Sequence, residues 1–306
     1  MSHIVSGFTQ TYSNTLPTFN MTYDITKDTL VRFGYGRGLS RPGLNELNPS
    51  VTVNTNEGTG SVGNPDLRPQ VADSLDLSLE HYFSKTNYVA AAVFNKDIEG
   101  FFSAISQCQT VTVAPAYSGS FSNSCAAGEY RVNRTVNAES GYARGVELSG
   151  QYFFDSSTGW LKNYGLSASY TYVDTSNPIN FGTVAAPRIV ETPQPMQSKH
   201  NYSLSAMYED NKMSARLVYT WRSPSVLFGV SALPIDGRYI GSYGILDGSF
   251  NYELSDNLTL SLNASNITDK VPVRYVGEPG SFETGLQRQH FANGRIFSVG
   301  LRFKFQ

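Results

Sequence analysis

Two cysteines, four histidines and a scatter of carboxylates are the residues of this sequence with side chains fit for chemistry. Cys108 and Cys125 stand in one stretch rich in Ser and Gly, and no other cysteine occurs. Such an even pair reads as a disulfide in an oxidising compartment; the alternative, metal ligation, finds no neighbouring His or further Cys. His3, His81, His200 and His290 are scattered, with no H-E-x-x-H spacing among them. Asp76 with Glu80, and Asp247 with Glu253, are the carboxylate pairs that could serve as acid and base. On a strand each pair shares a face but stands roughly 13 or 20 Å apart, at about 3.3 Å per residue. Glycosidase carboxylates need ~5–9.5 Å. The carboxylates therefore read as part of a hydrogen-bonded polar wall with Arg32, Glu147, Arg216, Arg222, Arg302 and Lys304. Gly34-Tyr35-Gly36-Arg37-Gly38 is no phosphate cradle, because no helix follows it. The residues suggest no catalytic set, no cofactor motif and no metal centre.

Strands must position these side chains. Charged residues make up 16% of the 306, well under the roughly 25% of a soluble domain. With 23 Lys+Arg against 25 Asp+Glu and no basic stretch, a nucleic-acid partner is excluded. No apolar run approaches the ~20 residues of a membrane helix. The first residues show neither a basic start nor an apolar core, so no signal peptide is expected. The dominant pattern has a period of two. Val31, Phe33 and Tyr35 alternate with Arg32, Gly34 and Gly36, and Leu75, Leu77 and Leu79 with Asp76, Ser78 and Glu80. Leu258, Leu260 and Leu262 alternate with Thr259, Ser261 and Asn263, and Phe297, Val299, Leu301 and Phe303 with Ser298, Gly300 and Arg302. Each segment is a strand with one apolar and one polar face. The chain is all-β.

Connection lengths add a second rule. Tight turns at 26–28, 84–86, 156–159, 210–212 and 255–257 alternate with long stretches at 38–71, 100–129, 175–198, 223–241 and 268–293. Several exceed the roughly 12–15 residues usual for structureless loops. Long loops all at one end are the pattern of an antiparallel transmembrane β-barrel, with short periplasmic turns and long extracellular loops. Strands are expected near 17–25, 29–37, 72–83, 87–98, 130–154, 161–174, 199–209, 213–222, 242–254, 257–267 and 294–305, with 130–154 one long bulged strand rather than two split at Ser140–Gly141, since that split would put the next long loop on the periplasmic side. That makes eleven. The end strands then run the same way and cannot close on each other, while an open edge in lipid leaves N–H and C=O groups unbonded. Residues 1–306 are thus expected to be a partial barrel, with outer-membrane lipid around it. Tyr82, Phe83, Tyr88, Phe153, Phe154, Trp160, Tyr164, Tyr208 and Tyr252 lie near the tight turns, and Tyr35, Tyr172, Tyr219 and Trp221 toward the long loops. They read as the two aromatic girdles of such a wall; the alternative is the core of a β-sandwich.

Four local patterns occur in order. They are Ser40-Arg41-Pro42 with Gly63-Asn64-Pro65-Asp66-Leu67-Arg68-Pro69, then Phe94-Asn95-Lys96-Asp97-Ile98. Asn137-Ala138-Glu139 with Ala143-Arg144-Gly145-Val146-Glu147-Leu148 is the third, and Asn263-Ala264-Ser265-Asn266-Ile267-Thr268-Asp269-Lys270 closing on Gly294-Arg295 is the fourth. Together they resemble the C-terminal part of the β-barrel of TonB-dependent receptors, active transporters of the Gram-negative cell outer membrane. Gln306 after Phe305 departs from the family's aromatic last residue. The resemblance implies a barrel of about 22 strands with a plugged lumen, of which eleven is half. It implies as partners the plug and the N-terminal barrel half, neither of which is expected within this chain, and the TonB system only through that missing part. The whole protein would capture a scarce ligand such as a ferric siderophore, cobalamin, haem or an oligosaccharide, and this portion alone would not transport it. Tyr117, Phe121, Tyr239 and Tyr275 are the loop aromatics expected to stack on a ligand ring or chelate. A passive porin or autotransporter-type barrel is the alternative, and a barrel phospholipase with a Ser/His pair at the rim is a third.

Overall fold

The computed structural model describes residues 10–112, 114, 118, 125–137, 140–154, 156–180, 189–228, 237–277 and 286–305. Strand β1 (Thr18–Thr26) turns tightly into β2 (Thr29–Ser40), and β3 (Val51–Asn54) and β4 (Thr59–Val62) occupy the long connection that follows. Next come the hairpin β5 (Gln70–Tyr82) and β6 (Tyr88–Glu99), then β7 (Phe102–Gln109) and β8 (Tyr130–Asn137) in the second long connection. The strands β9 (Gly141–Phe153) and β10 (Tyr164–Asn180) are followed by β11 (Ile189–Thr192), which folds back on the end of β10. The order continues with β12 (His200–Glu209), β13 (Met213–Arg222), β14 (Ser225–Phe228) and β15 (Gly237–Ile240). It ends with β16 (Tyr243–Ser255), β17 (Leu258–Ser265), β18 (Val273–Gly277), β19 (Leu286–His290) and β20 (Ile296–Phe303).

The wall is one antiparallel sheet in the order β1-β2-β5-β6-β9-β10-β12-β13-β16-β17-β20, with β11 attached to β10. It is open, since β1 and β20 each pair on one side only among the described residues. The expected count of eleven wall strands holds. Tight turns are fixed by short polar side chains that bond the backbone two or three residues on. At the β12–β13 turn the Asp210 carboxylate accepts the amides of Lys212 and Met213, both at 2.8 Å, and the Tyr208 hydroxyl at 2.9 Å. Those donors, the Lys212 amide foremost, hold the Asp210 carboxyl below its ordinary value. The turn therefore keeps this support at neutral pH and loses it as pH falls through that lowered value.

One strand assignment is corrected. Residues 130–154 are not a single bulged strand: β8 ends at Asn137, and β9 enters the wall at Gly141. The alternation runs on across the break, but β8 is pulled out of the wall by other partners. It pairs antiparallel with β7 and parallel with β4. At the re-entry point Gly141 lies against the Ser176 carbonyl, and an added Cβ would also stand 2.6 Å from the Phe101 ring. Because β8 belongs to a loop, the alternation of short turns and long loops survives.

The wall is inside out relative to a soluble protein. Leu75, Leu77, Leu79, Val93, Leu148, Leu166, Leu204 and Leu217 all stand exposed on one face. Every buried apolar residue described, namely Leu67, Ile105, Val111, Tyr130, Val132, Val226, Leu227 and Tyr239, lies outside the wall strands. Among the described residues no second layer covers the leucine face, so the β-sandwich alternative fails. Water would not tolerate such a face; hydrocarbon would.

Candidate ligand-facing surface

The opposite face of the wall is polar, and several of its groups bond one another. Arg32 Nε lies 2.9 Å from Glu80 Oε1, and the Tyr82 hydroxyl donates to Glu80 Oε2 at 2.7 Å. Arg216 donates to Ser205 Oγ at 3.4 Å, and Ser261 to Asn251 Oδ1 at 2.7 Å. Asp247 accepts both the Ser265 hydroxyl at 2.9 Å and the Asn266 amide at 2.8 Å. Each of these acids is tied to its own neighbours, Glu80 to Arg32 and Asp247 to Ser265. These contacts make Glu80 and Asp247 part of the hydrogen-bonded polar wall expected from their spacing. Glu147 stands exposed on this polar face, one strand from Ala92. Not every ring near a tight turn faces lipid, however. Tyr82 and Tyr88 share the polar parity, as does Phe153, whose ring lies over Gly165.

The motif residues turn out to be knots between loop and wall. A Cβ on Gly63 would strike the Asn48 backbone, with Asn48 N only 2.7 Å away. That close pass delivers Asn64, 6% exposed, between two loops. Its Nδ2 donates to the Thr135 carbonyl at 3.0 Å, while its Oδ1 accepts Arg134 at 2.6 Å and the Asp66 amide at 3.1 Å. Pro65 follows at the head of the turn, half-buried. Asn137 acts as a strand in miniature: it accepts the Arg68 amide at 2.8 Å and donates to the Arg68 and Gly100 carbonyls at 2.9 and 3.0 Å. Ala138 and Glu139 lie outside the described residues. Gly145 is a contact glycine, since a Cβ there would hit the Tyr172 carbonyl and come 2.7 Å from the Phe94 ring. Asn266, at φ 53°, accepts the Lys270 amide at 2.8 Å and donates to the Lys270 and Gly294 carbonyls at 3.0 and 3.1 Å. Asp269 pairs with Arg295 at 3.5 Å across the same knot. These residues hold the rim in place and do not converge on a pocket.

Above the wall, the long connections build two small sheets that the sequence did not announce. One has the order β3-β4-β8-β7, the other β14-β15-β18-β19. Each joins two successive long connections, separated in sequence by one wall hairpin. The first buries Val111, Tyr130 and Val132 against Val51, Val53 and Val62, and the expected Cys108–Cys125 bond is formed at its edge. The only advance signals were brief: Val51 and Val53 alternating with Thr52 and Asn54, and Tyr130 and Val132 with Arg131 and Asn133. In the second sheet Tyr239 faces Tyr275 in register. Tyr239 is 1% exposed and burial pushes its phenol up, while Tyr275 is half-buried with its ring over Gly241. Tyr117 and Phe121 lie outside the described residues. Replacing Cys108 and Cys125 by Ser should open the first loop sheet to protease while leaving the wall intact. Limited proteolysis with and without reductant checks this; equal cleavage rates would show that the bond restrains nothing.

An antiparallel wall, greasy outside and hydrogen-bonded inside, with long loops at one rim only, defines part of a transmembrane β-barrel. The family described as TonB dependent receptor-like, beta-barrel matches residues 2–267, and the chain belongs to it. Among solved structures it is similar to a ferric enterobactin receptor mutant from Pseudomonas aeruginosa in complex with enterobactin, at 16% identity and a TM-score of 0.67, covering 95% of this chain and 40% of that one. The siderophore receptor PirA from Acinetobacter baumannii matches at 14% identity and 0.65, over 95% and 41%. The copper transporter OprC matches at 18% and 0.60, over 95% and 39%. At these identities the likeness is one of fold. The chain spans about two fifths of the length of those receptors. Barrels of this family are outer-membrane proteins of Gram-negative bacteria, and the family and its neighbours here are receptors and transporters.

Proposed function

We propose that the chain forms wall and outer loops of an outer-membrane receptor that imports a scarce ligand, with energy relayed by TonB to a plug inside the lumen. The observation that carries this reading is the open eleven-strand wall with its polar inner face, in a chain whose family match covers residues 2–267. A polar face suits a surface that receives a plug. The rest of the wall, the plug and the surrounding lipid are the proposed partners, and β1 and β20 are the edges where the remaining strands would pair. The fold shared with receptors for ferric enterobactin and with a copper transporter supports a metal-bearing ligand, a ferric siderophore first, ahead of cobalamin or an oligosaccharide. Tyr275 is the proposed ligand contact among the described loop aromatics, with Tyr239 behind it as its support. Uptake of radiolabelled ferric siderophores by iron-starved cells tests the reading. Deleting the natural gene should abolish uptake of one of them, and deleting TonB should do the same. Uptake that survives loss of TonB, with a steady conductance in planar bilayers, would establish the passive porin instead.

A further inference from the structure

We propose that the outer edge of β19 receives an extended segment from the remaining part of the receptor. The wall is then joined twice on that side, in the membrane through β20 and above it through the second loop sheet. The proposal rests on the membrane-wall reading and adds a second contact to it. Exposure marks the place. Among the described residues, three strands are exposed at every position, namely β1, β20 and β19. The first two are the open edges of the wall. β19 lies above the wall yet carries the same mark, with Leu286 82% exposed, and it pairs with β18 alone. The other edge of that sheet is covered. On β14 the side chains of Ser225, Val226 and Leu227 are buried, and the Val226 carbonyl accepts the Met196 amide at 2.6 Å.

The second loop sheet copies the order of the wall. β14 follows β13, β15 precedes β16, β18 follows β17 and β19 precedes β20, and the order β14-β15-β18-β19 repeats β13-β16-β17-β20. The first loop sheet does not, since β8 and β7 are exchanged relative to β6 and β9. The free edge of β19 therefore lies on the same side as that of β20, with only residues 291–295 between the two strands. A strand added antiparallel to β20 must ascend toward the long loops, as β13 and β17 do. The first extended stretch after it is next in the series, antiparallel to β19.

Each earlier pair of successive outer connections is already fastened. The Arg41 guanidinium lies 6.0 Å from the Tyr12 ring centre and ties the segment before β1 to the connection after β2. β4 pairs with β8. Phe101 and Pro178 close on Gly141, where an added Cβ would stand 2.6 and 3.1 Å from them. Met196 reaches Val226, and β15 pairs with β18. The series stops at β19, whose outer N–H and C=O groups form a template for strand addition. The occupant is four or five residues of extended chain, the length of the other strands in this sheet, with an apolar side chain set against Leu286.

Residue-resolved hydrogen exchange on the natural receptor in lipid nanodiscs tests the seam. A strand bonded on both sides protects all its amides, whereas an edge strand protects alternate ones. The amides of Leu286–His290 should slow together, to within about tenfold of those of β18. Fast exchange at alternate positions of β19, with β20 protected throughout, overturns the seam and leaves the wall reading standing. Fast exchange at alternate positions of β20 as well sinks the wall reading, and the seam with it. A cysteine scan identifies the occupant. Gln287→Cys should form a disulfide with a cysteine at one position of the outer connection that follows the strand paired with β20, and not with its immediate neighbours, which face the other way. Cross-links to a second receptor molecule, or none within that connection, overturn the assigned occupant.

Discussion

Leu148→Arg should destabilise the membrane-embedded receptor by about 2–4 kcal/mol, the toll of an arginine on the lipid face near the bilayer midplane. Ser149→Arg, one residue on, should stay within roughly 0.5 kcal/mol. Leu148 sits midway along β9, between Ala91 and Tyr170, and is 46% exposed on the apolar face. Ser149 lies between Ala90 and Ser169 on the polar face, where a guanidinium finds water. Urea midpoints in vesicles, or the temperature at which the folded band disappears on unboiled gels, separate the two. Equal losses would mean that the two faces of the wall are not differently solvated, and the membrane reading would fail.

Asn266→Ala should cost about 4 kcal/mol, through two routes that a second variant separates. The substitution leaves the Lys270 amide and the Lys270 and Gly294 carbonyls without their partner in a site only 8% exposed; each such loss is worth roughly 1–3 kcal/mol. It also puts an ordinary side chain at φ 53°, a further ~1 kcal/mol. Asn266→Gly removes the bonds but keeps the backbone comfortable, so it should recover about that last 1 kcal/mol. Protease sensitivity of the β17–β20 connection, followed beside the unfolding midpoint, reads both. A loss no larger than that of an exposed polar-to-Ala change would show that the knot is not holding the rim.

The wall was legible because hydrocarbon on one side and water on the other force a strict two-residue period, and that period is local. The segment expected at 213–222 is found as Met213–Arg222, and that expected at 29–37 as Thr29–Ser40, with the excess at the loop end. A break at Ser140–Gly141 can be read in the sequence, but two wall strands there would put the next long loop on the periplasmic side, so the loop pattern argues against a break that the structure nevertheless contains. What separates β8 from β9 is a parallel pairing with β4, whose Val62 sits opposite Arg134, and no short stretch of sequence carries that information. The same holds for the loop sheets, whose strands are mostly four or five residues long. Among the site residues, family resemblance singled out Asn64, Gly145 and Asn266, but their work as fasteners is visible only in the distances. Tyr239 read as a ligand platform because an aromatic in a long loop usually is exposed; here the loop has a sheet of its own, which buries it.

The two loop sheets also bear on how such a rim can diversify. Strands β3 and β4 share hydrogen bonds with β7 and β8, and β14 and β15 with β18 and β19. A lineage that replaced one of these connections would leave half a sheet with bare backbone, so successful exchanges should be inherited as matched cassettes. Grafting a new binding preference onto this scaffold accordingly calls for moving two connections at once, and the natural seams lie at the asparagine fasteners that bound each cassette.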